Sequence, residues 1–223
     1  MYNILVTIRK LSFSIDEYYH IYSRGVDKRI IFLDDNDRHR FMRLMFLCNG
    51  DKPVIYRDTQ NLSLQKIDMG KRLVAIGAYC LMPNHFHILV REITEDGITK
   101  FMSKLLTAYS TYFNKRQTRT GTLFSSEFKA QHLDTNEYLK YIFAYIHLNP
   151  LKLIEPNWRE RKINKQTANA YLSKYYFSSY QDYIDATREI SLILSRDIFP
   201  QYFIKKGSFK AYINDWINFD PLT

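Results

Sequence analysis

Apolar and polar positions along this chain switch between a repeat of two and a repeat near 3.6. Tyr18 to Val26 is aromatic and β-branched with a glycine near its end, which predicts a strand. Asp34 to Asn49 opens on acidic residues and repeats apolar side chains at Phe41, Leu44, Met45 and Cys48. It closes on Asn49-Gly50, which predicts a helix. Residues 50–70 are polar and irregular and read as a loop or insertion, with a short strand at Val54 to Tyr56. Arg72 to Met82 and His85 to Arg91 are apolar strands that the Pro83-Asn84 turn joins into a hairpin. Thr99 to Lys115 lines up Phe101, Leu105, Tyr109 and Tyr112 on one helical face. Leu123 to Leu133 alternates as a strand. Asp134 to Glu137 reads as a capping box for a helix that runs to about Leu148, ahead of Pro150.

Two β–α–β units around a hairpin predict an α+β fold, a ferredoxin-like antiparallel sheet with helices on one face. Residues beyond 150 lean towards helix and are rich in tyrosine, and they are expected to form a helical C-terminal extension containing the basic Lys205-Lys206-Gly207.

Composition narrows the partners. Lysine and arginine number 32 against 23 acidic residues, a net charge of +9 that suits nucleic acid or an anionic membrane surface. A membrane span is not expected, because the best apolar run, Ala75 to Met82, ends at Pro83. Ile4 to Ile8 precedes Arg9 and Lys10, too short and in the wrong order for a signal peptide. The cysteines, Cys48 and Cys80, fit neither a metal finger nor a disulfide framework and read as buried thiols. A soluble cytoplasmic protein is expected.

Three features carry chemistry. His85 and His87 are two apart on a predicted strand, so their imidazoles share a face and can hold a divalent ion if a third group joins them. A structural histidine pair has the same spacing. Tyr145 and Asn149 are four apart on a predicted helix, one above the other. The Asn149 amide oxygen is a hard donor suited to Mg²⁺ or Mn²⁺, while a helix cap beneath a core tyrosine fits the pattern as well. Finally, Lys104, Lys115, Arg116 and Arg119 cluster on and after one helix, with Arg24 and Lys129 on neighbouring strands. With interleaved aromatics they suit single-stranded DNA, or they form a solvated face.

A resemblance decides between these alternatives. Tyr79-Cys-Leu-Met-Pro-Asn-His-Phe-His-Ile-Leu-Val90 resembles the signature of the HUH single-tyrosine transposases. Tyr145-Ile-His-Leu-Asn-Pro150 resembles the nucleophile helix of their REP-associated tyrosine transposase branch. Tyr19-His-Ile-Tyr-Ser-Arg-Gly25 and Phe177-Ser-Ser-Tyr180 are similar to the same branch, so the likeness runs from about residue 18 to 183. It implies that His85 and His87 bind the metal, that Tyr145 is the nucleophile and that Asn149 completes the metal site. It also implies the ferredoxin-like fold, a catalytic domain over residues 1–155 with the insertion at about 50–70, and an extension over 156–223. The cofactor is then Mg²⁺ or Mn²⁺ and the partner single-stranded or hairpin DNA. The resemblance further implies a monomer rather than a shared-site dimer, cytoplasmic and associated with the nucleoid when bound to DNA. The chain departs from the branch at Ser125, Ser126 and Glu127, where a basic contact is usual, and residues 50–70 are longer than expected.

The implied reaction is transesterification of a DNA phosphodiester through a 5′-phosphotyrosine, which keeps the strand end attached and lets it be rejoined. Only about one phenol in a thousand is ionised at neutral pH, and a bound cation offsets much of that deficit. His132 and His147 are expected to be structural. Two other functions compete: a non-catalytic hairpin-DNA-binding protein of the same fold, and a nuclease with water as its nucleophile. The absence of a carboxylate cluster around His85 disfavours the nuclease.

Overall fold

The computed structural model describes residues 12–53, 55–125, 128–161, 163–184, 187–200 and 206–217. In chain order the elements are β1 (Tyr18–Arg24), α1 (Asp35–Cys48), α2 (Tyr56–Thr59), β2 (Val74–Met82), β3 (His85–Glu92), α3 (Gly97–Arg116), β4 (Lys129–His132), α4 (Asn136–Leu148), α5 (Trp158–Arg161), α6 (Lys165–Lys174), α7 (Tyr180–Ile184) and α8 (Lys206–Ile217). The four strands form one antiparallel sheet in the order β2-β3-β1-β4. This is the ferredoxin-like order that the element sequence predicts.

Register decides what each face shows. Arg24 sits opposite His85 and Tyr22 opposite His87, while Ser23 faces Phe86 and Ile21 faces Ile88. Directly opposed residues share a face, so one face of the sheet is polar around the histidines and the other is apolar. The crossover helices α1 and α3 cover the apolar face, as expected. Phe41 of α1 meets Phe86 of β3 and Tyr109 of α3, each at 5.0 Å between ring centroids. The additional helix α4 lies across the histidine face, where Tyr145 reaches His87 and His20.

Local rules account for most boundaries. The Asp34 carboxylate caps α1 by accepting from the Asp37 N–H at 3.0 Å. In α4 the cap is Thr135, whose hydroxyl accepts from the Tyr138 N–H at 3.1 Å, one residue later than a capping box on Asp134 predicts. Pro150 turns the end of α4 into a 3₁₀ turn over Asn149–Leu153. Between residues 50 and 70, Tyr56 belongs to α2 rather than to a strand, and the Thr59 hydroxyl donates to its carbonyl at 3.0 Å; Val54 lies outside the described residues. The strand expected over 123–133 is paired along Lys129–His132 only, with an isolated bridge from Phe124 to Gly25. Ser126, Glu127 and Lys205 are also outside the described residues, as are Ile4 to Ile8.

The C-terminal extension is helical and shares the buried cluster of the sheet through Trp158, Leu172, Tyr180 and Phe209. Its Phe177–Ser179 stretch runs along β2, with Leu81 N–H donating to the Phe177 carbonyl at 2.9 Å and Ser179 N–H to the Tyr79 carbonyl at 3.0 Å. This covers a sheet edge that would otherwise present open hydrogen-bonding groups. Gly77 sits at the bulge in β2, and a Cβ there would come within 2.5 Å of the Phe199 ring.

His147 ties this extension to α4. Its Nδ1–H donates to the Phe143 carbonyl at 2.9 Å, and its Nε2 accepts from the Ser179 hydroxyl at 2.7 Å. Burial lowers its pKa from 6.5 to about 3. Between those values the unfolded chain binds the extra proton. The stability His147 confers is therefore complete above pH 6.5 and is lost as pH falls towards 3. Urea unfolding at pH 4.5 is expected to show a loss of about 2 to 3 kcal/mol from this group relative to neutral pH. His147→Gln should flatten that dependence. An unfolding midpoint independent of pH over this interval would contradict the assignment.

Candidate active site

The polar face of β1 and β3 brings three histidines under α4. His85 and His87 lie 5.0 Å apart between ring centroids, and His87 lies 5.0 Å from His20. The Asn84 amide oxygen is 2.6 Å from His85 Nδ1, so Nδ1 is the donor and Nε2 keeps a lone pair. His87 Nδ1 and His20 Nε2 share one hydrogen across 2.9 Å. His87 Nε2 and His20 Nδ1 are buried with no hydrogen-bond partner among the described residues. Burial, reinforced by Arg24 and Lys152, pushes His85 down to about 4. Burial alone takes His20 to about 4, and burial with the neighbouring cationic groups lowers His87 well below 6.5. At neutral pH all three are neutral imidazoles.

Tyr145 hangs from α4 over this group, its ring 5.3 Å from His87 and 5.9 Å from His20. It stands between two clefts. One, of about 380 Å³, is lined by Arg24, Lys129, Lys152, His85 and His87, and no carboxylate lines it among the described residues. The other, of about 370 Å³, is lined by Tyr22, Tyr138, Tyr141, His20 and Gln131. Burial raises the Tyr145 phenol, and Asn149 and Arg159 act against that rise. The Lys152 ammonium and the Arg159 guanidinium lie 5.2 and 5.8 Å from the Tyr145 ring centroid.

Asn149 is where the expected metal site is least ready. It is the C-cap of α4, and its Nδ2 donates to the Tyr145 carbonyl at 2.8 Å. Its Oδ1 accepts from Lys152 Nζ at 3.2 Å. The capping pattern read from the sequence is therefore real, and the amide oxygen faces an ammonium. No group of three or more His, Cys, Asp or Glu suited to a metal ion occurs among the described residues. The donor set still fits a divalent ion: two neutral imidazole nitrogens, one of them buried without a partner, and an amide oxygen that would exchange Lys152 for the ion.

Of the six basic residues expected to touch DNA, Arg24 and Lys129 line the cationic cleft. The other four, Lys104, Lys115, Arg116 and Arg119, line neither cleft beside Tyr145. Lys104, Lys115 and Arg116 belong to α3, on the opposite face of the sheet. Arg116 pairs with Asp34 and Asp37, and Lys104 donates to the Gly50 carbonyl. Arg119 is held by Asn114 and the Thr122 carbonyl. Arg116, Lys104 and Arg119 are thus engaged in contacts within the fold. His132 pairs with Glu17 at 2.7 Å. Sequence reasoning missed His20, Tyr22, Lys152 and Arg159. For the first two, the alternation along β1 was the available signal; Lys152 and Arg159 follow Pro150 and reach the site only through the fold.

Comparison with known proteins gives two findings. Residues 42–149 match the family model described as "Transposase IS200 like", a span that contains His85, His87, Tyr145 and Asn149. A solved structure described as a REP-associated tyrosine transposase bound to a REP hairpin aligns at 12% identity and a TM-score of 0.48, covering 86% of this chain and 87% of that one. No curated relative matches the sequence.

Proposed function

We propose that the chain is an IS200-like transposase, the family whose model matches residues 42–149, and that it cuts and rejoins single-stranded DNA near hairpins with Tyr145 as nucleophile, as the REP-associated branch does. The observation that carries this reading is the position of Tyr145, with neutral histidines beneath it and a cationic cleft beside it. A phosphodiester in that cleft meets Arg24, Lys129 and Lys152.

Tyr145 Oη attacks phosphorus. The new P–O bond forms as the bond to the 3′-oxygen breaks, and that oxygen leaves as a hydroxyl after taking a proton. The phenol proton is released, and the 5′-phosphate remains on Tyr145. Attack by a 3′-hydroxyl reverses the step and restores a phosphodiester. Burial makes the phenolate harder to form, so Lys152 and Arg159 have the task of stabilising its charge. Mg²⁺ or Mn²⁺ would be held by the Nε2 atoms of His85 and His87 and by the Asn149 amide oxygen, and it would polarise the phosphate oxygens.

Nucleophile and histidines meet within one chain, which supports a monomer as the working unit. Residues 1–155 form the catalytic region in this reading, acting on DNA in the cytoplasm, and 156–223 the extension that braces it. No helix among the described residues is long and apolar enough to cross a membrane.

The test is a denaturing gel of the protein incubated with labelled single-stranded hairpin oligonucleotides and Mg²⁺ or Mn²⁺. A metal-dependent covalent band is expected, lost in His85→Ala/His87→Ala. The engaged amide of Asn149 favours one second reading, a non-catalytic hairpin-binding protein. That reading predicts binding that is steeply salt-dependent and indifferent to chelators, with no covalent band.

His20 is assigned a positioning role in this site. With His20 Nε2 accepting the shared hydrogen, His87 keeps its proton on Nδ1 and its Nε2 is free to ligate. His20→Ala is expected to weaken Mn²⁺ binding, followed by titration calorimetry, by about 10- to 100-fold. Unchanged affinity would leave His20 a packing residue.

A further inference from the structure

A cleft of about 520 Å³, larger than either cleft beside Tyr145, lies against α1, away from the site described. Asn36, His39, Arg40 and Arg43 line it from one stripe of α1, α2 contributes Tyr56 and α3 contributes Tyr112. Tyr176 and Glu189 of the C-terminal extension close its other side. The volume falls in the range of small-molecule sites, about 300 to 1,000 Å³.

Its chemistry is specific. The Arg40 guanidinium lies between two tyrosine rings, 3.2 Å from the Tyr56 centroid and 4.5 Å from that of Tyr112. No hydrogen bond or ion pair of its own is found among the described residues, and its Nε is buried without a partner. Arg43 Nε is likewise buried and unpartnered, while its Nη2 donates to the Thr59 and Leu62 carbonyls. Tyr176 is 37% exposed, and its ring stands 5.2 Å from His39. Glu189 is the carboxylate in this lining, and it accepts from the Leu64 N–H. Arg188 is neutralised by Asp182. Two guanidiniums with unused donors beside accessible aromatic rings match a ligand that joins an oxyanion to a flat ring.

We propose that this cleft binds an unpaired nucleotide, its phosphate on Arg40 and Arg43 and its base against Tyr176 and Tyr56. It is a second nucleotide site on the opposite side of the sheet from Tyr145, and it does not depend on the tyrosine chemistry. The nucleotide is carried either by a DNA strand or as a free monophosphate, which offers the same groups. Residues of the 50–70 insertion build one wall, which gives that segment a function.

The test uses the full-length protein in chelator, so that adduct formation plays no part. A 12-nucleotide single strand bearing 5-iodo-deoxyuridine is titrated by fluorescence anisotropy and then photo-crosslinked, and thymidine 5′-monophosphate is titrated by calorimetry. For a strand-borne nucleotide, Arg40→Ala and Tyr56→Ala each weaken the 12-mer about tenfold, and wild-type crosslinks map to peptides containing Tyr56 or Tyr176. For a free nucleotide, the monophosphate binds wild type and not Arg40→Ala, while the 12-mer is unaffected. Arg40→Lys, with thermal melting, separates loss of the guanidinium from loss of fold. The crosslink map and the monophosphate titration on wild type need no variant. Absence of crosslinks at both tyrosines together with no monophosphate binding overturns the proposal.

Discussion

Tyr145→Phe is expected to remove the covalent protein–DNA adduct, a loss of at least about a thousandfold in the rate of strand cleavage, while hairpin binding measured by gel shift stays within about twofold. The substitution deletes a single oxygen. The ring keeps its edge contacts with His87 and His20 and its place under Lys152 and Arg159, so folding and the cationic cleft are left intact. What disappears is the atom that attacks phosphorus. Position separates Tyr145 from its neighbours. Tyr138 and Tyr141 line the aromatic cleft, and Tyr141 packs against Trp216 at 5.3 Å. Tyr22 lines both clefts and lies 5.9 Å from His87, which makes it the rival nucleophile. An adduct that survives in Tyr145→Phe and is lost in Tyr22→Phe would move the chemistry to β1. A cleaved strand without any adduct would indicate water as the attacking group.

The parts of this site that could be read in advance are those set by local periodicity. His85 and His87 share a face because a strand repeats every two residues, and Tyr145 and Asn149 stack because a helix repeats every 3.6. The sheet order followed from the element order, because short connections leave few alternatives. Lys152 was out of reach, since its approach to Tyr145 depends on the turn that follows Pro150. Arg159 arrives from α5, beyond any local repeat. The setting of the basic cluster on α3 was out of reach for a related reason. Charge on a helix shows which face is solvated, and whether Arg116 meets phosphate or Asp34 and Asp37 is settled by the packing of α1 against α3. The 50–70 segment carries little periodicity, and its place beside the α1 cleft comes from tertiary contacts alone.

Asp182→Ala is expected to destabilise the fold by about 3 to 5 kcal/mol, lowering the melting temperature by roughly 10 °C in a chain of this size. The Asp182 carboxylate is fully buried and accepts from Arg188 Nε at 3.0 Å and from Nη2. Arg188 extends the same clamp by donating to the Tyr176 carbonyl at 2.6 Å and the Ser178 carbonyl at 2.9 Å. The first carbonyl directly precedes the Phe177–Ser179 stretch that lies along β2 and the second lies within it, and Ser179 in turn holds His147 of α4. Removing the carboxylate leaves a buried guanidinium without its counter-charge, a larger penalty than the pair contributes when intact. The additional change Arg188→Met removes the stranded charge and should return a substantial part of the stability. Activity gives a separate measure, because His147 lies two residues from Tyr145. At a temperature where Asp182→Ala remains folded, adduct formation should fall as α4 loosens on the sheet, and the double variant should recover less activity than stability. If Asp182→Ala melts within 2 °C of wild type, the extension is held to β2 by its backbone pairing alone and the Asp182–Arg188 clamp is dispensable.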